Sequence, residues 1–302
     1  MARFDVFLIG GFKVLRGNQH PVKIYATKSR ELFAYLLLHR GRSFHREMLC
    51  NLLWEECSTA QAQKGLRQAL WNLHAALKDD DPSLPDMVIR CDGDRIRIDP
   101  DASIWVDVAF VQETYALVQN VSGQQLTGDL VEVLRQAVDA CSGELLEDWS
   151  QDWLTFERQH LQDIMLELLY KLMVHCDSWR EFETGIGYGA RILSLDRAHE
   201  RTHRRLMRML YSMDDRTAAL RQFGRCAAAL REELDVRPAK TTIALYEQIK
   251  TEEGLEIPVD PGFRLGSGPL EPTQGDLAGV FRMFQPMLID FLAQLDKQRR
   301  RA

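Results

Sequence analysis

Residues 63–78 read QKGLRQALWNLHAALK, and this stretch decides the fold assigned to the first third of the chain. At about 100° per residue, its apolar side chains fall on one side of a helix, as a core stripe does. That side holds Leu66, Ala69, Leu70, Leu73 and Leu77. The opposite side holds Lys64, Arg67, Gln68, Trp71, Ala75 and Lys78, with Asn72 and His74 at its edges.

The polar side of this helix suits a DNA major groove. Arg and Lys bond guanine or phosphate, Gln and Asn bond adenine, and a small residue such as Ala75 permits close approach. A solvated helix can carry the same residues, so the face alone leaves both interpretations open. The segments on either side of the helix favour the DNA interpretation.

These surrounding segments indicate a winged helix-turn-helix. Alternating apolar residues predict short strands at 3–9, 12–15 and 22–24. Apolar periodicity predicts helices at 30–39, 45–54 and 60–78. Alternation on both sides of Asp92-Gly93 predicts a hairpin at 87–98. Strands, three helices and a terminal hairpin in this order are typical of a winged helix, whose third helix enters the groove.

The winged-helix interpretation predicts two sets of DNA contacts. The candidates for base contact lie on the third helix: Lys64, Arg67, Gln68, Trp71 and Asn72. The candidates for phosphate contact are Arg46, Lys78, Arg95 and Arg97. The last two lie on the hairpin, where a wing runs beside the DNA backbone. Asp92 and Asp94 at the hairpin tip would repel phosphate, so deep insertion of the tip is not expected.

Composition is that of a soluble globular protein, and charge divides the chain. At 302 residues, 45% hydrophobic and 27% charged, it is long enough for about two domains. Residues 1–100 hold 15 Lys and Arg against 12 Asp and Glu, a net charge of +3. Residues 101–253 hold 17 against 26, a net charge of −9. Only the first segment therefore has a charge that suits a polyanion.

Beyond Val106 strand signals end, so the protein is predicted to be mainly α. Helices are expected at 107–118, 128–141, 152–176, 179–194, 197–212, 215–231 and 240–251. Small residues at close-packing points, such as Ala190 and Ala227, indicate an α-solenoid. The predicted division is a winged helix at 1–100, a helical array at 101–253, a linker at 254–275 and an amphipathic C-terminal helix at 276–302. The apolar face of that last helix would dock on the array or on a second chain.

Two motifs raise an enzymatic alternative. HERTH at 199–203 matches HExxH, in which two histidines bind zinc and the glutamate activates water. Arg201 lies between the two candidate ligands, however, so an exposed and charged turn is the expected structure. The glycines of GIGYGA at 185–190 are interpreted as helix-packing residues and not as a phosphate loop. No catalytic residue, metal site or cofactor is therefore predicted.

No targeting or membrane segment is recognised. The opening stretch MARFDVFLIGGF carries Asp5 among its apolar residues, so it reads as a strand and not as a signal peptide. No run approaches the roughly 18 apolar residues that a membrane span needs. The six cysteines are scattered without a CxxC pair, which indicates reduced thiols. A cytoplasmic protein without membrane contact is expected.

Several long segments, in order, resemble the SARP-type bacterial transcriptional activators. They include FLIGGFKV at 7–14, KGLRQALWNLHAALK at 64–78, GDRIRIDPDASIWVDVAFV at 93–111 and GELLEDWSQDWLTFERQHLQ at 143–162. The resemblance spans residues 5–251 and implies an OmpR-type winged helix followed by a tetratricopeptide-like bacterial transcriptional activation domain. It also implies sequence-specific binding to promoter direct repeats and recruitment of RNA polymerase. Because tandem sites require two protomers, it further implies at least a homodimer.

The chain departs from this family in the third helix. Where relatives carry several arginines in a pattern like SRLRR, residues 71–75 read WNLHA. This difference removes up to three cations from the groove face and adds an aromatic ring. Trp71 would press on a thymine methyl or meet a protein. An alternative function therefore stays open: a protein-interaction or ligand-sensing helical scaffold, with a protein or small-molecule signal, whose winged helix binds DNA weakly or not at all.

Overall fold

The computed structural model describes residues 4–17, 20–78, 88–141 and 143–251. Short strands and helices alternate in its N-terminal part. Their order is β1 Phe4–Phe7, β2 Lys13–Arg16, β3 His20–Pro21, α1 Thr27–Leu38, β4 Phe44–His45, α2 Arg46–Leu53, α3 Thr59–Leu77, β5 Ile89–Asp92, β6 Arg95–Ile98 and β7 Ile104–Val106. This is the order of a winged helix-turn-helix, as predicted.

Two small sheets frame the three helices. The first has the strand order β3-β2-β1-β7, with β7 parallel to β1, and the second has the order β4-β6-β5. The third strand is His20–Pro21, so the strand predicted at 22–24 lies two residues too late. Pro21 is tolerated in this strand because the strand lies at the edge of the sheet, where its missing N–H costs no hydrogen bond. β7 was not predicted, since its three residues are too few to show an alternating pattern.

The third helix matches its predicted bounds closely. It begins one residue early, after Ser58, whose backbone N–H donates to the side-chain oxygen of Gln61 at 3.3 Å. This contact is one half of a capping box, and it satisfies a backbone donor at the helix start. The predicted core stripe is confirmed, because all its members are buried: Leu66, Ala69, Leu70, Leu73 and Leu77.

The rest of the described chain is a helical array, as predicted. Its helices are α4 Asp107–Val118, α5 Gly128–Ala140, α6 Trp153–Ser178, α7 Phe182–Leu195, α8 Glu200–Ser212, α9 Arg216–Leu234 and α10 Lys240–Thr251. α7 begins three residues later than predicted, because Arg180 adopts a left-handed backbone conformation (φ 59°) between α6 and α7. The predicted linker at 254–275 and the predicted C-terminal helix at 276–302 lie outside the described residues.

One buried carboxylate joins the first sheet to the helical array. Asp107, 2% exposed, begins α4 directly after β7. Its two oxygens accept hydrogen bonds from the backbone N–H of Leu8 at 2.9 and 3.0 Å, and one of them also accepts from Ile9 at 2.9 Å. The other oxygen accepts from the N–H of Val108 at 2.7 Å. The chain beyond β1 is therefore tied to the first turn of α4.

A loop between α5 and α6 extends this junction by backbone pairing. The N–H of Leu146 donates to the carbonyl of Leu8 at 2.7 Å. The N–H of Gly10 donates to the carbonyl of Glu144 at 2.8 Å. The segment that follows β1 thus lies between α4 and this loop of the array.

Aromatic rings also pack between the winged helix and the helical array. Phe12 stacks on Trp149 of the loop, with ring centroids 5.8 Å apart. Tyr35 of α1 meets Trp153 of α6 edge-on at 5.4 Å. Such pairs contribute roughly 0.5–1.5 kcal/mol beyond the area that they bury. The winged helix therefore packs on the array through side chains as well as backbone.

The three glycines of GIGYGA lie within α7 and have different surroundings. A Cβ added at Gly189 would lie 2.6 Å from Cδ2 and 3.0 Å from Cγ of Leu206 on α8. Gly185 likewise packs against Met209 and Cys176, whereas a Cβ at Gly187 would meet nothing within 4 Å. The prediction that these glycines pack helices is therefore confirmed for Gly185 and Gly189 and is wrong for Gly187.

Substitution of two of these glycines should change stability in opposite directions. Gly189→Ala forces α7 away from Leu206 and should lower the free energy of unfolding by about 1–3 kcal/mol. Gly187→Ala gains helix propensity without a clash and should raise it by roughly 0.5–1 kcal/mol. Urea denaturation of the two variants and the wild type measures both effects. Shifts of the same sign in the two variants would contradict the packing of α7 on α8.

Asp107 should make stability depend on pH. Burial raises the pKa of this carboxyl from 3.8 to about 6, against the opposing hydrogen bonds from Ile9 and Leu8. Because the folded state binds this proton more tightly than the unfolded state does, the proton bound to Asp107 stabilises the fold. This stabilisation is complete at a pH below the pKa of the unfolded state, and it is lost as the pH rises through about 6. Relative to Asp107→Asn, which cannot titrate, the wild type should lose up to about 3 kcal/mol between about pH 4 and about pH 7.

Urea denaturation of the wild type and Asp107→Asn across this pH range tests the shift. The difference between the two proteins removes the contribution of every other titrating group. Parallel stability curves would mean that the carboxyl keeps its ordinary pKa.

Candidate nucleic-acid interface

The polar side of α3 is open to solvent in the described structure. Its exposed residues are Lys64, Arg67, Gln68, Trp71, Ala75 and Lys78. Trp71 is 66% exposed, although an indole ring normally buries much of its surface when it packs within a domain. Four of the predicted base-contact residues therefore share one solvent-facing surface, called the α3 face below.

Asn72, the fifth predicted base-contact residue, lies at the half-buried edge of α3. Its side-chain N–H donates to the hydroxyl of Ser29 on α1 at 3.4 Å. Its side-chain oxygen accepts from the amide of Gln68 at 3.1 Å. Ser29, fully buried, donates in turn to the carbonyl of Ala69 at 3.3 Å. Asn72 thus fixes the orientation of Gln68 and links the α3 face to α1.

Close packing fixes α3 against α2. A Cβ added at Gly65 would lie 2.6 Å from Nε1 and 2.8 Å from Cε2 of Trp54, the residue directly after α2. The indole of Trp54 therefore occupies the space that a side chain at position 65 would need. Glycine at this position lets the two helices of the helix-turn-helix approach each other.

The tip of the wing is held on the start of α2. Asp94 accepts from Nδ1 of His45 at 2.8 Å, and this hydrogen bond lowers the pKa of the Asp94 carboxyl. The carbonyl of Asp94 accepts from the backbone N–H of Arg46 at 2.8 Å, and Nε of Arg46 donates to the carbonyl of Gly93 at 3.2 Å. His45 therefore does not cap α2 with its side chain, and the wing satisfies the first backbone donor of the helix instead.

The other predicted phosphate contacts lie in mixed surroundings. Arg97 pairs with Asp92 at 3.3 Å, so both carboxylates of the wing tip have a side-chain partner, and for Asp92 that partner is a cation. Arg95 donates to the hydroxyl of Ser43 at 2.9 Å, a neutral partner that leaves its charge available. Lys78 is exposed at the end of α3. The segment that joins α3 to the wing, 79–87, lies outside the described residues.

A buried carboxylate on α1 contacts the helical array, and no sequence pattern pointed to it. Glu31, 2% exposed, accepts from Nζ of Lys28 at 2.7 Å and from the side-chain amide of Gln151 at 3.1 Å. On the same side, His39 lies 3.5 Å from Glu157 of α6. The helix that supports the α3 face through Ser29 is therefore also bonded to the array.

The HERTH motif forms structural hydrogen bonds. His203, 3% exposed, donates from Nε2 to the carbonyl of Arg197 at 2.9 Å and accepts at Nδ1 from Gln222 at 2.8 Å. Burial lowers the pKa of His203, which keeps the ring neutral. Glu200 accepts from the N–H of Ala239, just before α10. The expectation of an exposed turn is therefore wrong for His203, which packs in the core of the array.

These contacts leave the motif without the geometry of a zinc site. Among the described residues, no group of three or more His, Cys, Asp or Glu side chains is placed to hold a metal ion. Nor does any helix within the described residues have the length and apolar character that a membrane crossing demands.

A winged helix followed by this helical array defines a class of bacterial regulator. Residues 106–250 match the family described as the bacterial transcriptional activator domain. With the winged helix ahead of that domain, the chain is similar in architecture to the SARP-type transcriptional regulators, a non-enzymatic class.

Two mycobacterial proteins are similar to this chain. Transcriptional regulatory protein MoaR1 of Mycobacterium tuberculosis is 24% identical over 238 residues, which cover 78% of this chain and 75% of MoaR1. The solved structure of Mycobacterium tuberculosis EmbR in complex with a low affinity phosphopeptide shares the fold. Its TM-score is 0.64 at 21% identity, over 85% of this chain and 67% of that one.

Proposed function

We propose that this regulator binds promoter DNA in a sequence-specific manner and activates transcription. Residues 1–100 are its DNA-binding domain and residues 101–253 its activation domain. The observation that carries this proposal is the α3 face, where Lys64, Arg67 and Gln68 are exposed on a helix whose other side is core. A helix of this kind presented by a winged helix suits the major groove.

The α3 face supplies groups for base recognition. Arg67 reads guanine through O6 and N7, and Gln68, oriented by Asn72, reads adenine. Lys64 adds a second donor, and Trp71 presses on a thymine methyl. Outside the groove, phosphate contacts come from Arg46, Lys78, Arg95 and Arg97.

The activation domain supplies partner contacts. Binding to direct repeats places two protomers side by side, which favours a homodimer on DNA. RNA polymerase is then recruited through the helical array.

A small-molecule signal has a place in the same array. A cavity of about 410 Å³ lies between α6, α7 and the loop that joins α5 to α6, and its lining includes Leu161, Met165, Leu169, Arg158 and Arg191. Its size and its apolar side chains suit a small apolar molecule. Glu144 and Leu145 of its wall belong to the loop that bonds the winged helix, so a ligand here would act on the junction.

Arg67→Ala tests base recognition directly. A duplex is first selected from a random library by the wild type, and gel shifts are then run at about 50 and about 200 mM salt. Loss of a bidentate contact should weaken binding to the selected site by about 1–3 kcal/mol, with a smaller effect on unrelated duplex. Arg221→Ala, which removes an exposed arginine from α9, is the matched control and should bind as the wild type does.

The wild type should lose affinity steeply between the two salt concentrations, because it releases counterions from phosphate. If the wild type shows no salt-sensitive binding to any duplex, the proposal of DNA binding fails, and the protein is better described as a protein-interaction scaffold.

Trp71→Arg tests which partner the α3 face meets. On a DNA-facing helix the new cation adds about one phosphate or base contact, so the slope of log affinity against log salt should steepen by about 0.9. Filter binding to an unrelated duplex over a salt series measures this slope. Trp71→Gln serves as the uncharged control. An unchanged slope in Trp71→Arg would mean that DNA does not bind at the α3 face, and a protein would then be the expected partner of that face.

A further inference from the structure

A row of four arginines crosses the helical array on α8. Arg201, Arg204, Arg205 and Arg208 follow one another over two helical turns and span about 10 Å along the axis. They are the basic residues of a short helix within a segment, 101–253, whose net charge is −9. This group is called the arginine row below.

The first contacts of the row are made with α6. The guanidinium of Arg201 lies over the ring of Tyr170, 3.9 Å from its centroid. Nε of Arg205 donates to the hydroxyl of the same tyrosine at 3.3 Å, and its Nη1 pairs with Asp177. Among the described residues, Asp177 is the one carboxylate that forms an ion pair with the row.

The contacts on the other side are made with α10 and are neutral. Nη1 of Arg204 donates to the hydroxyls of Thr241 at 3.3 Å and Thr242 at 3.1 Å. A hydroxyl group and an aromatic ring hold a guanidinium in position without cancelling its charge. Three of the four arginines are therefore oriented by their neighbours, while one carboxylate offsets their charge.

Arg208 is the arginine that the fold leaves without a partner. Within the described residues it has no hydrogen bond and no ion pair, although it is half-buried. Burial lowers the pKa of its guanidinium, Arg205 and Arg204 lower it further, and Asp177 and Tyr170 oppose this only in part. A desolvated cation among like charges raises the energy of the free protein, and an anion bound at the row would relieve this cost.

We propose that the arginine row binds an acidic segment of a partner protein. Guanidinium groups bond carboxylates in pairs, and a row of about 10 Å offers room for several carboxylates in sequence. The negative charge of the surrounding domain opposes a long polyanion such as duplex DNA, because its field acts over about 10 Å. A short acidic segment touches only the row and avoids most of that repulsion.

Fluorescence anisotropy with a labelled octaglutamate peptide tests this inference on the full chain at low salt. The wild type should bind the peptide and ignore an octaserine peptide. The double variant Arg201→Gln with Arg208→Gln should bind about tenfold or more weakly, since two charge-assisted contacts are lost. These two arginines are chosen because neither forms an ion pair with a carboxylate among the described residues, so thermal denaturation should show that the double variant is folded.

The matched control is Arg221→Gln with Arg231→Gln, two exposed residues of α9 that change the net charge equally. This control should bind octaglutamate within about twofold of the wild type. An equal loss in the control would show diffuse charge attraction and overturn the inference. A loss of duplex DNA binding in the Arg201 and Arg208 variant would assign the row to DNA and overturn it as well. The inference stands apart from promoter recognition, which the Arg67 variant tests separately.

Discussion

The carboxylate of Asp107 is the group on which the relation between the two parts of the protein depends. An isolated carboxylate is costly to bury, and this one is tolerable only because backbone donors from both parts surround it. Leu8 and Ile9 come from the chain beyond β1, and Val108 comes from α4. Separation of the winged helix from the array would leave the backbone donors of Leu8 and Ile9, and the carboxylate itself, to find new partners together. The hydrogen bonds therefore fix the orientation of the first sheet relative to α4 as well as stabilising their contact, because apolar contact alone would allow the two to slide.

That junction determines how the α3 face is presented. α1 stands between the array and α3: Glu31 bonds Gln151 near the start of α6, and Ser29 bonds the backbone of α3. Tyr35 packs on Trp153 one turn further along α1. A helix held on both sides by hydrogen bonds and rings transmits a displacement of one neighbour to the other, because packed interiors have little free volume to absorb it. A displacement of α6 would therefore be passed through α1 to the α3 face, which α6 itself does not need to touch.

The long elements could be predicted from the sequence, and the tertiary polar contacts could not. Leu66, Leu70 and Leu73 repeat at the helical period, so α3 and its exposed side follow from spacing alone. β3 and β7 are too short to carry a period, and both owe their existence to pairing with β2 and β1. Asn72 bonds Ser29, 43 residues away, and His203 bonds Gln222, 19 residues away, so neither contact can be read from a local pattern. The HERTH motif illustrates the same limit, since its spacing matches zinc ligation while its environment supplies a carbonyl and an amide.

The formal charges of the wing residues do not by themselves indicate how the wing would interact with DNA. Asp92 and Asp94 suggest repulsion of DNA, but each has a cationic or ionisable partner, Arg97 and His45 respectively. The same pairing engages Arg97, so the hairpin offers DNA less positive charge than its arginines suggest. In the proposed complex with promoter DNA, affinity then depends more on the α3 face, which itself has fewer cations than the arginine-rich pattern of the family. Because counterion release scales with the number of neutralised phosphates, the proposed binding to promoter DNA should depend less on salt, and more on direct contact by Arg67 and Trp71, than binding by an arginine-rich relative.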